Sequence, residues 1–420
     1  MLLGAYLLAL LTVSLDGRFD FSSLELSIIY LSQPDGARSL LSTVAGSMLS
    51  VASLTFSIVM VVLTMASSQF GPRLLGNFMR DRGNQFVLGS FISTFLYCLL
   101  VLRTVRGEGA EASLFVPQLS VTVALALAVV NLGAFIYFIH HTAENIQVAT
   151  ILAKVSGALT RKITDEFSDK TVFPEEVGES PEVEGEAELP AAFSRQKAIF
   201  HSAGGGYLST VDEEGLLRVA KEENLVLKLL RSPGAYIRHG GPLLAVYPGS
   251  VLTACQERLK NKVALDNHRT PDQDLEFLFD QLLEVALRAL SPGVNDPITA
   301  MRCIDRIGDN LSLLASRELP SPYRFDENGE LRLIIPVVDA AALVKRLFGP
   351  IRSYAAADYM TLSHLIHTLG EMSQATSDSV FRQALFEEAD LVTNQAEAQL
   401  ATEDYQRLLE VHSDVRGTVA

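Results

Sequence analysis

The sequence lacks charged residues over three long stretches, the longest of which runs from Ser39 to Pro72. The other two are Gly83 to Leu102 and Ala112 to Ile139. A helix needs about 20 mostly apolar residues to cross a bilayer, and a charged residue at its centre costs about 3 kcal/mol. Each stretch therefore predicts a membrane-spanning helix, which excludes a wholly soluble protein.

The chain also has few basic residues and few cysteines. Its 34 Lys and Arg against 49 Asp and Glu give a formal net charge of -15. Because phosphate binding needs clustered Lys and Arg, this balance argues against a nucleic-acid partner. Cys98, Cys255 and Cys303 form no CxxC pair, so the cysteines indicate neither a disulfide framework nor a thiolate metal site. We predict no metal and no cofactor.

A fourth apolar segment, Met1 to Leu15, is short for a crossing. It is either a short first span or the remnant of a longer one, because it lacks the basic region and cleavage site of a signal peptide. We predict a transmembrane domain over residues 1–160, with spans at about 1–15, 40–66, 84–103 and 115–140. The loop between the second and third spans holds Arg73, Arg80 and Arg82, more than the loops on the other side. The positive-inside rule then predicts that both termini are cytoplasmic.

Small and hydroxylated residues recur at helical spacing along the longest stretch. They are Ser39, Ser42, Gly46, Ser50, Ser53, Ser57, Thr64 and Ser68. We call this set the small-residue stripe, because a spacing of three to four places its members on one side of a helix. Two interpretations stay open: tight packing between helices, or the wall of a narrow pore in a ring of subunits.

Other polar residues in and near the spans carry weaker signals. Charged residues inside spans mark proton relays and ion sites, and their absence from the three long spans favours a passive channel or a structural protein over a coupled transporter. Asn131 is interpreted as an interhelical hydrogen-bond donor. His140 and His141, with Glu144 one turn on, predict interfacial side chains or a pH-sensitive cluster. Adjacent histidines point to different sides of a helix, which disfavours a metal site.

After the spans, residues 161–195 are strongly acidic and predict a disordered linker. Residues 196–250 predict a small β module, with short strands separated by turn residues. The strands are expected at 207–208, 216–219, 225–230, 236–238 and 243–247. One segment resembles the GxxVxxGxxLxxV hairpin of the barrel-sandwich (biotinyl/lipoyl-like) fold. Its matching positions are Gly234, Ile237, Gly240, Leu243 and Val246. No Lys occurs between Lys228 and Lys260, so the resemblance implies an adaptor or assembly element, not a carrier.

Residues 251–420 predict a helical domain with a β-hairpin near 323–338, whose turn contains Asn328-Gly329. An amphipathic helix over Asp272 to Leu290 ends at a Ser-Pro-Gly break, and Asp296 is a good N-cap for the next helix. This turn, with Arg288, Asn295 and Asp296, is the candidate ligand or interface site, because a helix N-terminus offers backbone N–H groups. The competing interpretation is a capped helix–helix turn. Asp266, His268 and Arg269 lie in an earlier loop that could approach it.

Three separated motifs occur in a characteristic order along the chain. They are Ala66 to Arg73 (ASSQFGPR), Phe138 to His141 (FIHH) and Ala289 to Ala300 (ALSPGVNDPITA). Together they resemble a bacterial family of integral membrane proteins catalogued as domain-of-unknown-function family 2254. The resemblance implies a topology and an architecture shared with this family. It implies no activity and no catalytic residues.

The predicted fold class is a membrane α-helical domain of three to four spans joined to a cytoplasmic α+β region. From it we expect a homo-oligomeric inner-membrane channel-like protein, with ions, lipid and further copies of itself as partners, and a cytoplasmic gating or assembly domain. The alternative is a membrane-anchored scaffold or sensor that binds a protein or small ligand through its cytoplasmic domain. We expect no enzyme, since no nucleophile stands with a base; a pocket gathering Arg288, Asn295, Asp296 and His268 would favour one.

Overall fold

The computed structural model describes residues 1–19, 33–70, 82–107, 115–145, 147–169 and 192–417. The chain divides into two compact units, Met1–Ile151 and Leu152–Ala420. We call them the membrane unit and the C-terminal unit.

Four helices make up most of the described membrane unit: α1 (Leu2–Arg18), α2 (Pro34–Phe70), α3 (Arg82–Leu102) and α4 (Gln118–Asn145). Three segments are long and apolar enough to cross a membrane: Pro34–Met65, Gly83–Leu102 and Gln118–Glu144. These confirm the three long apolar helices that the uncharged stretches predict. The N-terminal segment also forms a helix, but α1 has 17 residues and stays a shorter, fourth apolar element.

Small side chains let the helices of the membrane unit approach closely. The core of this unit combines alanines of α1, α2 and α4 with larger side chains of α3. Its fully or nearly fully buried members include Ala5, Ala9, Leu41, Ala45, Tyr97, Val101 and Ala124. Met1 packs on Gly89 near the start of α3, and Thr12 reaches Tyr97 further along it. Helix α1 therefore runs in the same direction as α3.

Helix α5 (Val148–Glu166) continues the chain and overlaps the start of the predicted acidic linker, residues 161–195. Thr160 of α5 donates a hydrogen bond of 2.9 Å to the Asn310 side chain of a later helix in the C-terminal unit. The part of the predicted linker from 170 to 191 lies outside the described residues.

The C-terminal unit mixes helices with three sheets. Its strands are β1 (Ser168–Asp169), β2 (Ala198–His201), β3 (Gly206–Val211), β4 (Val226–Leu229), β5 (Tyr236–Ile237), β6 (Pro242–Tyr247), β7 (Val263–Asp266), β8 (Arg317–Glu318), β9 (Tyr323–Phe325) and β10 (Leu331–Ile334). They form sheets of order β2-β6-β4-β10-β9, β5-β3-β7 and β1-β8. In the five-stranded sheet β10 pairs with β4 in parallel, with Leu333 opposite Leu227. The β9–β10 pair confirms the predicted hairpin.

This arrangement corrects the predicted self-contained β module. The sheets take β7, β9 and β10 from beyond residue 250, and the described strands close no barrel. The segment compared with a barrel-sandwich hairpin is not a hairpin, because β5 pairs with β3 whereas β6 pairs with β2 and β4. The strand predicted at 216–219 is wrong: α7 (Glu213–Glu222) occupies it and buries Leu216 and Val219.

The helices of the C-terminal unit begin in a consistent way. They are α6 (Phe193–Gln196), α7, α8 (Leu252–Lys260), α9 (Leu275–Ala289), α10 (Pro297–Ala315), α11 (Ala340–Tyr354), α12 (Tyr359–Ala375), α13 (Ser379–Ala396) and α14 (Thr402–Gly417). In six of them an aspartate side chain accepts a backbone N–H of the first turn. These N-caps are Asp212, Asp274, Asp296, Asp339, Asp358 and Asp378. Such caps stabilise a helix by about 1 kcal/mol each.

Candidate functional site

The small-residue stripe lies on the side of α2 opposite its packing face. The packing face carries Leu41, Ala45, Met48, Ala52 and Thr55, all buried. Gly46 lies five residues beyond Leu41, which is about 140° around the helix at about 100° per residue. The stripe residues whose side chains are described are all exposed: Ser39, Ser42, Gly46, Ser50, Ser53, Ser57 and Thr64. The side chain of Ser68 lies outside the described residues.

No described part of the same chain packs on the stripe at its glycine. A Cβ placed on Gly46 would meet no atom within 4 Å. The hydroxyls of Ser50, Ser57 and Thr64 each donate a hydrogen bond of 2.9 Å to the backbone carbonyl one turn earlier. Each hydroxyl oxygen can still accept a hydrogen bond from water or a partner. The stripe is thus a polar, shallow surface that remains available for another copy, water or lipid.

The exposed side of α4 has the opposite composition. Val129, Val130, Leu132 and Ile136 are each more than 60% exposed. Large apolar side chains suit contact with acyl chains, whereas small ones mark helix–helix contacts in membranes. The two exposed faces of the membrane unit therefore differ in the contact that they favour.

Asn131 forms a polar centre inside the membrane unit. Its side-chain amide nitrogen donates a hydrogen bond of 2.7 Å to Thr94 Oγ1. Its side-chain carbonyl oxygen accepts a hydrogen bond of 2.8 Å from Ser90 Oγ. All three side chains lie between α3 and α4. Asn131 is thus the interhelical hydrogen-bond donor that its position in the sequence predicts.

Asp16 joins α1 to the start of α4, a contact that the sequence analysis missed. Its carboxylate accepts the backbone N–H groups of Leu119 at 2.8 Å and Ser120 at 2.9 Å, and the Ser120 hydroxyl at 2.6 Å. Pro117, which precedes α4, has no side-chain oxygen to cap the helix. The acidic residue that ends the first apolar segment was the available signal, since carboxylates are favoured at helix N-termini.

The two histidines at the end of α4 diverge, as adjacent helical residues must. His140 Nε2 lies 3.2 Å from Glu144 Oε1, and both side chains are well exposed. The ring of His141 instead stacks on Tyr137, with centroids 5.2 Å apart. Across the described ranges, no three His, Cys, Asp or Glu side chains stand together in a way that could hold a metal ion. A pH-sensitive role for these histidines stays a prediction.

The Ser-Pro-Gly-Val-Asn-Asp-Pro turn forms a capped junction between α9 and α10. Asp296 accepts the Thr299 backbone N–H at 3.0 Å and the Thr299 hydroxyl at 2.6 Å, which confirms it as an N-cap. Asn295 has a φ of 51°, a left-handed conformation that Asn tolerates. Arg288 lies 3.9 Å from Glu284, one turn earlier on the same helix. A carboxylate of the chain itself thus occupies the helix N-terminus where a ligand was expected.

Arg269 belongs to a largely buried ion cluster, in which the side chains of Arg269, Asp274 and Asp280 are at most 15% exposed. It donates to Asp274 at 2.6 and 2.9 Å and to Asp280 at 2.6 Å. Arg346 donates to the second oxygen of Asp280 at 2.5 Å and lies 3.1 Å from Glu276. Burial alone would lower the pKa of Arg269, but its bonds with Asp274 and Asp280 outweigh burial and raise that pKa. No sequence pattern indicates this role of Asp280, because its arginine partners come from other segments.

A pocket of about 250 Å³ adjoins this ion cluster in the C-terminal unit. Its polar lining includes Asp274, Glu276, Glu213 and Arg324, and its apolar lining includes Pro233 and Ile335. Neither Arg288, Asn295, Asp296 nor His268 lines it. Asp266 Oδ1 accepts the backbone N–H of His268 at 3.4 Å within its own turn. This pocket thus does not gather the residues suggested for an enzyme site. Asn295 and Asp296 lie in the turn between α9 and α10, whereas His268 contacts Asp266 in another turn.

Comparison with known proteins gives one family. The model of the family described as "Predicted membrane protein (DUF2254)" matches residues 1–371. Similar relatives include Uncharacterized protein Mb1321c of Mycobacterium bovis and Uncharacterized protein Rv1290c of Mycobacterium tuberculosis strain H37Rv. Each is 33% identical to this chain over 381 residues, which cover 90% of this chain and 71% of the relative. No solved structure gives a significant match.

Proposed function

This chain belongs to the DUF2254 family of predicted membrane proteins, and from that premise we propose that it forms a homo-oligomeric, channel-like membrane protein. In this proposal several copies of α2 surround a central pathway, each with its small-residue stripe facing inward. One observation supports it above all others: the stripe is exposed and uncovered on the side of α2 opposite the packing face of its own bundle.

The composition of the stripe favours a protein or water neighbour over lipid. Small residues let two helix backbones approach closely, whereas acyl chains gain little from a row of Gly and Ser. The hydroxyl oxygens of Ser50 and Ser57 can accept hydrogen bonds while their protons stay bonded within the helix. Such acceptors suit the wall of a pore that passes partly hydrated ions. No charged residue interrupts the stripe, so the proposed transport is passive.

We place the protein in the bacterial inner membrane with the C-terminal unit in the cytoplasm. The bacterial relatives support the location, and the three arginines between the second and third predicted spans support the orientation. In this arrangement the C-terminal unit has a gating or assembly role. The proposal is non-enzymatic, since Asp296 of the candidate turn caps α10 and Arg288 lies 3.9 Å from Glu284.

Cysteine cross-linking tests the proposed contact between copies. The native Cys98, Cys255 and Cys303 are buried and are replaced by Ala first. In native membranes, oxidation of the Ser53→Cys variant should give a disulfide-linked dimer. A matched Val130→Cys variant, on the exposed side of α4, should stay monomeric under the same conditions. Equal dimer yields from both positions, or none from Ser53→Cys, would contradict the proposed orientation of α2.

Planar-bilayer recording tests the pathway itself. Purified protein should give unitary currents under voltage, membrane tension or a pH step. Ser53→Leu should lower the unitary conductance because the larger side chain narrows the lumen, whereas Leu54→Val, at the adjacent exposed position, should leave it unchanged. Silence of the wild-type protein under all three stimuli would count against a channel, while cross-linking at Ser53 would still report the assembly.

The second candidate function is a membrane-anchored sensor or scaffold, and the pocket beside the ion cluster favours it. The lining has four carboxylates, from Glu166, Glu213, Asp274 and Glu276, and one guanidinium, from Arg324, which lies 3.4 Å from Glu213. With Pro233 and Ile335 beside them, this excess of carboxylates suits a small cation with an apolar part. A screen of organic cations by thermal unfolding should then find a stabiliser, since binding to the folded state alone raises stability. Glu213→Gln should abolish that shift, and a shift that persists would exclude this pocket.

A further inference from the structure

A groove of about 400 Å³ runs between α1 and the end of α3 in the membrane unit. Its floor is apolar and includes Ala9, Leu10, Val13 and Leu100. Tyr6 and Thr104 add hydroxyl groups, and Arg103 and Arg106 line it as well, whereas none of the described lining residues is Asp or Glu. The groove thus combines a long apolar floor with two positive charges.

The two arginines are fixed at the end of a predicted span. Arg103 directly follows Leu102, the last residue of α3. Arg106 pairs through its backbone with Phe115, with N–H to O distances of 2.9 and 3.2 Å, which holds it at the groove. Among the described residues, neither guanidinium has a carboxylate partner, whereas Arg38 nearby donates to the Val105 carbonyl at 3.2 Å and pairs with Asp35.

The surroundings of the groove are those of a lipid-facing surface. Leu3, Leu7 and Leu11 on the outer side of α1 are all more than half exposed. The groove therefore opens toward acyl chains, while its arginines lie where a span ends and phosphate headgroups begin. Arg binds phosphate through paired N–H donors, and basic pockets between membrane helices are suited to anionic headgroups.

We propose that this groove binds one anionic phospholipid. Its phosphate lies against Arg103 and Arg106, and an acyl chain lies along Leu10, Val13 and Leu100. Tyr6 and Val13 are seven residues apart, so α1 offers about 10 Å of groove length to that chain. The inference concerns a different face from the small-residue stripe and does not depend on the proposed channel.

Native mass spectrometry of the full-length protein in detergent tests the charge requirement. Phosphatidylglycerol and phosphatidylcholine with identical acyl chains are offered together, and the wild-type protein should retain phosphatidylglycerol in preference. Arg103→Gln and Arg106→Gln should each reduce that preference by about fivefold. Arg18→Gln removes the same charge from the last residue of α1, outside the groove, and should change nothing.

Two results would overturn the proposal. One is equal retention of the two lipids by the wild-type protein, and the other is an equal effect of Arg18→Gln and Arg103→Gln. The sequence after Arg106 contains Glu108 and Glu111, in a segment outside the described residues. If those carboxylates neutralised the arginines, charge removal would leave the lipid preference unaltered, and the proposal would fail by the same measurement.

A second pair of variants tests the apolar floor without touching the charges. Leu10→Trp fills the groove, whereas Leu11→Trp places the same side chain on the adjacent exposed position of α1. Phosphatidylglycerol retention should fall for Leu10→Trp only, with unfolding temperatures of both variants close to the wild-type value. Glycerol phosphate, added as a chainless competitor, should not displace the lipid. Displacement by that competitor, or equal retention by the two Trp variants, would exclude a lipid in the groove.

Discussion

Asp280 is the residue on which the ion cluster of the C-terminal unit depends. One of its oxygens accepts from Arg269 and the other from Arg346, and its side chain is 12% exposed. Removing one partner of a buried ion pair leaves an uncompensated charge, which is much more damaging than losing a surface pair. The ion pairs of this chain therefore differ widely in their contribution to stability. Buried pairs contribute most, and exposed pairs contribute little.

We predict that Asp280→Ala lowers the free energy of unfolding of the C-terminal unit by about 3 to 5 kcal/mol, because two arginines lose their shared partner. Glu403→Ala is the control. It breaks the exposed pair between Glu403 and Arg407, 2.6 Å apart, and should change stability by less than about 0.5 kcal/mol. Urea unfolding followed by circular dichroism measures both variants. Similar losses from the two substitutions would show that the cluster contributes no more than a surface pair.

Among the helices and strands, the sequence predicts best those that local composition determines. The three long apolar helices follow from uncharged stretches, and the hairpin turn at Asn328-Gly329 follows from the left-handed conformation that Gly329 adopts. The strand predicted at 216–219 failed because a short apolar run fits either period. The N-cap was the stronger signal there: Asp212 accepts the Gly215 N–H at 2.8 Å and starts α7.

Pairings between distant segments were beyond the sequence analysis. The parallel alignment of Leu333 with Leu227 joins strands that are separated by the three helices α8, α9 and α10 and by many turns, and no local pattern encodes it. The same holds for the ion cluster, whose members come from the loop at Arg269, from α9 with its N-cap, and from α11. For the small-residue stripe, the spacing predicted that its members share one side of a helix, but only the packing of α2 showed that its own bundle leaves this side exposed.

Asp16 of α1 caps α4, so a substitution of this residue tests the contact between the two helices. Asp16→Ala should lower the stability of the membrane unit by about 1 to 2 kcal/mol, because Leu119 and Ser120 lose the acceptor of their N–H groups. Thermal unfolding in detergent measures the loss. Asp35→Ala removes an exposed carboxylate from the first turn of α2 and should have a much smaller effect. If the two variants unfold alike, Asp16 does not hold α1 to α4.

At the scale of the whole molecule, the membrane unit has two kinds of outer surface. Large side chains such as Val129, Val130 and Ile136 cover the exposed side of α4. The stripe on α2 instead offers Gly46, Ser50 and Ser53 over a similar helical length. Contacts within one chain give no reason for this difference, whereas the proposed contact between copies would favour small residues on α2. The stripe must therefore be tested by measuring whether copies of the chain associate.

Two glycines allow that test with the same substitution on each surface. A Cβ on Gly46 or on Gly133 would meet no atom of the chain within 4 Å, so neither Gly46→Leu nor Gly133→Leu should clash within a single copy. Both should favour the helix by about 0.8 to 1 kcal/mol. We predict that Gly46→Leu nevertheless shifts the protein to smaller oligomers or monomers in native mass spectrometry, because Leu keeps neighbouring α2 helices apart. Gly133→Leu, on the exposed apolar side of α4, should keep the wild-type oligomer. A monomeric wild-type protein, or an unchanged oligomer in Gly46→Leu, would place the stripe against lipid and remove the basis for a central pathway.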